Sequence, residues 1–214
     1  MAKRESKKSR QVRDAEVTQQ DILDAAEIEF SHHGLNGARL SAIADRAGVT
    51  TAMIHYYFTN KEGLYKAVLQ RPATEANEKL GTLNFDQFPA IDALKLFIQA
   101  AILNEVQHPH RQMLWFQEAN QNQGEFFKLS KDDWSNAHGS LFKILKRGMT
   151  DGSFRELDLE ITTIHILGIC IFYFSIQENW KHFKPDCDRL SESEIQRHTE
   201  AAIALVLSGI KSPE

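Results

Sequence analysis

The chain has 214 residues, 42% hydrophobic and 25% charged, with two cysteines and a formal net charge of −4. Those proportions exclude a disordered polymer and a disulfide framework. The charge is uneven: residues 1–13 hold Lys3, Arg4, Lys7, Lys8, Arg10 and Arg13 against Glu5, a net +5, so the remainder sums to −9. A basic end on an acidic body points to a flexible tail over 1–13 that meets a polyanion. No apolar stretch follows the charges of MAKRESKKSRQVRD, so no signal peptide is expected. The most apolar run, 161–176, contains His165 and is shorter than the roughly 20 residues that span a bilayer. The expectation is a cytoplasmic protein with no membrane partner, its Cys170 a small buried hydrophobe.

In chain order the elements read as helices. From Thr18, Ile22, Leu23, Ala26 and Phe30 share one stripe, which Gly34 stops. Three short segments follow at 39–47, 50–58 and 60–70, the last ending before Pro72. Helices that brief are marginal alone and must pack as one compact unit. Beyond Pro72 longer amphipathic stretches are expected at 87–107, 111–121, 125–149, 158–183 and 191–210. The fold class is therefore all-α: an N-terminal three-helix head over 14–70 and a helical body over 75–212.

The most informative stretch is Ala44-Asp45-Arg46-Ala47-Gly48-Val49-Thr50. A helix-turn-helix needs a small residue where its helices cross, met by Ala44, and one content with positive φ in the turn, met by Gly48. Val49 plugs the corner and Thr50 caps the next helix. Ile54 and Phe58 then face inward one turn apart. Thr51, His55 and Tyr56 face outward, flanked by Met53 and Tyr57. Hydrogen-bonding and aromatic tips on a short exposed helix suit a major groove and phosphate oxygens.

Residues 18–68, with ILDAA, IADRAGV and YYF-x-N-K-E-x-L, resemble the DNA-binding domain of the TetR/AcrR family of transcriptional regulators. The resemblance implies a DNA-binding head followed by a helical ligand-binding and dimerisation body. It places phosphate contacts on Thr50, Tyr57 and Lys61, and base-edge or groove contacts on Thr51, Met53, His55 and Tyr56. Lys61 has a physical reason beside the likeness, standing in the first turn of its helix where backbone N–H groups share a phosphate. Three positions depart from the family pattern. Arg39 replaces the usual Ser or Thr, losing a cap but keeping a charge that reaches phosphate. His55 replaces the commoner tyrosine, so its contact is shorter and responsive to pH. Pro72 interrupts the fourth helix, which in the family connects head to body.

The body is less legible. Glu118, His138, His165 and Gln177 are polar groups among aromatics such as Trp115 and Phe116, the composition of an effector pocket. The run 161–176 is apolar nearly all round, too uniform to be covered by its own chain. With Ile195, Ala202, Ile203, Val206 and Ile210 of the last helix it is expected to form a two-fold dimer interface. Glu29–His32, Glu178–His182 and Glu194–His198 have the spacing of metal-ligand pairs, but no hydrolase, zinc-protease or phosphate-loop motif accompanies them. No metal, cofactor or enzymatic activity is expected. The resulting expectation is a homodimeric regulator of pseudo-palindromic double-stranded operator DNA, controlled by a small-molecule effector. Repression is its sign by the resemblance. The alternatives are a regulator without an effector and a metal-binding helical enzyme.

Overall fold

The computed structural model describes the backbone of residues 2–81 and 83–212, and the side chains of 15–75, 83–128 and 139–212. The helices are α1 (Ala2–Gly37), α2 (Leu40–Ala47), α3 (Thr51–Phe58), α4 (Lys61–Gly81), α5 (Ala90–Gln107), α6 (Arg111–Asn122), α7 (Lys131–Thr150), α8 (Leu159–Ser175), α9 (Gln177–Trp180) and α10 (Glu192–Ile210). Short 3-10 turns occupy Phe85–Gln87 and Phe126–Ser130. Among the described residues the sole extended pairing is an isolated antiparallel bridge between Phe154 and Lys211. The tail expected over 1–13 has its side chains outside the described residues.

Three boundaries differ from the sequence reading. Helix α4 continues through Pro72 rather than ending before it. A proline removes one ladder hydrogen bond and crowds the carbonyl four residues back, a local loss that the rest of a 21-residue helix outlasts. The stretch expected as one helix over 125–149 opens as a 3-10 turn. The stretch expected over 158–183 breaks at Ile176, whose φ of −101° and ψ of 5° leave the α region. Gly34 interrupts α1 with φ 63° and ψ −175°.

The chain forms two compact units, one of residues 1–72 and 113–130, the other of residues 73–112 and 131–214. The body expected as continuous over 75–212 therefore loses residues 113–130 to the first unit. The reason lies in that unit's core, where Leu114 is buried with Ile22, Phe30, Ile43, Ile54, Leu64, Tyr65 and Val68. The Tyr65 ring meets Phe30 and Phe126 edge to face, with centroids 4.9 and 5.8 Å away.

In the second unit α5 is packed by α7, α8 and α10. Phe97, Ile98, Leu145, Ile166, Cys170, Phe174, Ala202 and Val206 are buried together there. Burial, with a lesser push from Glu105, drives the Cys170 thiol up to about 12. That agrees with the expected inert hydrophobe. Two polar pairs lie in this unit: the buried Arg111 guanidinium donates to Glu75 at 3.0 Å, and Gln112 donates to Glu105.

Candidate nucleic-acid interface

The first unit builds its turn as the residues dictate. Ala44 is buried where α2 meets α3, and Gly48 takes the left-handed conformation, φ 66° and ψ 29°. That turn lets the Val49 N–H reach the Ala44 carbonyl at 3.0 Å. Thr50 then caps α3, its hydroxyl accepting from the Met53 N–H at 3.3 Å. Ile54 and Phe58 are buried, which turns the opposite face of α3 outward. Thr51, Met53, His55 and Tyr56 are exposed on it, Tyr56 to 83%. Tyr57 is half-buried, its ring edge-on to that of Tyr56 at 5.2 Å.

Two cations stand at the starts of the neighbouring helices α2 and α4. Arg39 precedes α2 without a side-chain cap, as its type requires, and its side chain is exposed. The α2 N-terminus is served instead by Glu29 of α1, whose carboxylate accepts the Arg39 N–H at 3.1 Å. An anion suits the positive end of a helix. Lys61 stands at the first residue of α4 and donates from Nζ to the Asn36 carbonyl at 3.2 Å. The α4 N-terminus is capped by Asn60, whose side chain accepts the Gly63 N–H at 2.8 Å.

Glu118, expected in an effector pocket, is instead bonded within the first unit. Glu118, 1% exposed, accepts the Tyr65 hydroxyl at 2.9 Å, the Asn122 amide at 2.7 Å and the Phe126 N–H at 2.8 Å. Burial, then the hydrogen bond and charge of Glu118, push the Tyr65 hydroxyl far above its ordinary value. Gln121 of the same helix donates to the His33 carbonyl and accepts the Asn36 N–H, both at 3.4 Å. Helix α6 is thereby bonded to the end of α1.

The pocket candidates do not gather in one place. Glu118 is a satisfied structural carboxylate of the first unit, and Trp115 packs on that unit's core, edge to face with Phe127 at 6.0 Å. Phe116 is exposed. His138 lies outside the described side chains. In the second unit Gln177 donates to the Pro109 carbonyl at 3.4 Å. His165 alone of the set lines an open concavity of about 920 Å³, with Ile164, Phe172, Tyr173, Trp180 and Arg189.

The last helix also departs from expectation. Ala202, Val206 and Ile210 are buried in the unit's own core, with Ile195 and Ile203 packed against it. The period that marks an interface equally marks a core. The apolar residues left exposed are Leu205 on α10 and Ile161, Ile164 and Phe172 on α8. Of the metal-spaced pairs, Glu194 is bonded to Arg197 and Glu178 to Lys181. Among the described residues no group of three metal-ligating side chains gathers, and no helix is long and apolar enough to cross a membrane.

The family model of bacterial regulatory proteins of the tetR family matches residues 22–68. The HTH-type transcriptional repressor NicS of Pseudomonas putida is 30% identical over 174 residues, 79% of this chain and 81% of that protein. The regulator RutR of Escherichia coli is 50% identical over 50 residues, 23% of this chain and 24% of its own. Among solved structures, HlyIIR, a hemolysin II transcriptional regulator, aligns with a TM-score of 0.66 at 24% identity, covering 93% of this chain and 99% of its own. The regulator FadR of Bacillus subtilis, in complex with stearoyl-CoA, aligns with a TM-score of 0.70 at 21% identity, covering 89% and 98%. A matched head of 47 residues and a relative aligned along most of both chains, on a helix-turn-helix built as described, lead to one conclusion: the chain belongs to the TetR family of bacterial transcriptional regulators.

Proposed function

We propose that the protein is a cytoplasmic homodimeric repressor, not an enzyme, that binds pseudo-palindromic operator DNA and releases it on binding a small organic effector. The observation that carries the reading is the exposed face of α3, where Thr51, His55 and Tyr56 stand clear of the core, with Arg39 and Lys61 at the starts of α2 and α4. Thr50, Tyr57, Lys61 and Arg39 take phosphates, while Thr51, Met53, His55 and Tyr56 enter the major groove. The basic residues of 1–13 add sequence-independent attraction to the same polyanion.

Repression is proposed from the likeness to NicS, itself a repressor. An effector in the second unit is proposed from family membership; FadR, of the same fold, holds stearoyl-CoA. Dimerisation is assigned to the apolar side chains that α8 and α10 leave exposed, with Ala201, Ala204 and Ser208 permitting close approach. Selection of bound DNA from random sequence is the test. Enrichment of an inverted repeat supports the reading, and recovery of unselected sequence overturns it.

A further inference from the structure

We propose that His55 is a specificity-determining residue that presents only a hydrogen-bond acceptor to the major groove, selecting adenine or cytosine on the strand it faces at one position of each half-site. The inference rests on the assignment of α3 to the groove and adds the chemistry of one of its side chains.

His55 is exposed on α3, and its Nδ1 lies 3.0 Å from the carbonyl oxygen of Thr59. A carbonyl oxygen only accepts, so Nδ1 carries the hydrogen and donates it. In a neutral imidazole the other nitrogen, Nε2, then holds a lone pair and no hydrogen. Nε2 has no partner among the described residues. The contact is closed from the other side as well, because the Thr59 N–H donates to the His55 carbonyl at 3.0 Å. Thr59 itself sits at φ 66° and ψ −54°, in a region that a β-branched residue seldom enters. An unusual backbone conformation held at an exposed helix end is the kind found at functional sites. Here it aims one carbonyl at one ring nitrogen.

The consequence for recognition follows from the base edges. In the major groove only adenine N6 and cytosine N4 offer hydrogens, whereas guanine and thymine offer acceptors. The hydroxyls of Thr51 and Tyr56 both donate and accept, so neither is committed to one kind of base. His55, with Nδ1 occupied, is committed. A purely structural role, capping the C-terminal end of α3, accounts for the Thr59 bond but predicts no base preference.

Two measurements decide the matter. Long-range ¹H–¹⁵N spectra of the labelled full chain at about pH 8, the neutral side of the histidine range, should show the Nδ1–H tautomer in the one signal lost from His55→Gln. The Nε2–H tautomer overturns the proposal. DNA selected by the wild type at that pH should contain one position per half-site where adenine and cytosine together are enriched about tenfold on one strand, with thymine and guanine opposite. That bias should vanish in His55→Ala while the other positions persist. Should His55→Ala melt early, His55→Gln serves instead: its amide both donates and accepts and pairs bidentately with adenine, so the joint preference for adenine and cytosine should give way to adenine. Enrichment there of A·T over G·C pairs in either orientation, or of purine over pyrimidine, or an unchanged motif in the variants, overturns the His55 assignment while leaving the DNA-binding reading intact. Wild-type protein that selects no sequence overturns both.

Discussion

Single side chains divide the head between affinity, specificity and stability. Lys61, beside the α4 N-terminus, is proposed to contact phosphate, so Lys61→Ala should weaken binding to operator and random DNA alike and lower the salt slope by about one unit. Tyr56→Ala should cost operator binding more than random binding, since the exposed ring on α3 is proposed to meet base edges and carries no charge for phosphate. Equal losses for both variants on both DNAs, measured by titration at several salt concentrations, contradict this division. Tyr65 belongs to the fold. Tyr65→Phe leaves the buried Glu118 short of a donor, a loss of about 1–3 kcal/mol. Denaturant unfolding should show it, whereas Tyr56→Phe, at the exposed position, should fall within about 0.5 kcal/mol of wild type.

At the scale of elements, glycines and one stacked histidine decide how the helices end and pack. Gly48 lies in the left-handed region, which costs a residue with a Cβ roughly 1–2 kcal/mol, whereas Gly34, at φ 63° and ψ −175°, lies where essentially only glycine is found. A Cβ at Gly48 meets open space, whereas one at Gly34 meets the Gln121 amide. Gly34→Ala should therefore lower the melting temperature further than Gly48→Ala, because it also displaces the contact of α6 with α1. In the second unit the His198 ring stacks on Tyr173, with centroids 4.0 Å apart and planes 12° apart. Burial, and then the Arg189 guanidinium, hold this imidazole below the usual histidine range. Its folded value is depressed, so its contribution to stability is full above the unfolded value near 6.5 and is lost as pH falls through the folded one. Melting temperature should fall from about pH 7.5 to about pH 5 more steeply in wild type than in His198→Phe, which keeps a stacked ring and cannot protonate. Parallel curves would rule out His198 as the source.

For the whole molecule the proposed dimer makes two-fold symmetry the property to test. Leu205 is 64% exposed on α10, with Phe172 and Ile164 58% and 57% exposed on α8. In an isolated chain Leu205→Asp is a surface change worth less than about 0.5 kcal/mol. In a dimer built on this face it buries an unpaired charge. Sedimentation should give a dimer for wild type and a monomer for the variant, with operator affinity lost although α1–α4 are untouched. Half-sites read by two α3 helices should have centres on the order of 34 Å apart or somewhat more. A variant that stays dimeric places the interface elsewhere.

Local chemistry was enough for the head. Ala44, Gly48, Val49 and Thr50 each meet a requirement imposed within a few residues, so their positions in the turn follow from residue type. The stripe Ile22, Leu23, Ala26 and Phe30 likewise had to be buried, and is. Where a residue's partner is remote in the chain, the same reasoning runs out. Glu118 has the character of a pocket group, and only tertiary structure joins it to Tyr65, 53 positions away. Ala202, Val206 and Ile210 have the period of a buried face, but period cannot say whether the cover is the same chain or another. The ring orientation of His55 was equally out of reach, because it depends on an i+4 carbonyl aimed by the positive φ of Thr59. Sequence alone determined the helix-turn-helix and its outward side chains, because those answer to bonds closed within one turn. Tertiary structure decided which apolar faces are core, which polar groups are already satisfied, and that residues 113–130 fold with the head, because those depend on contacts that spacing along the chain does not encode.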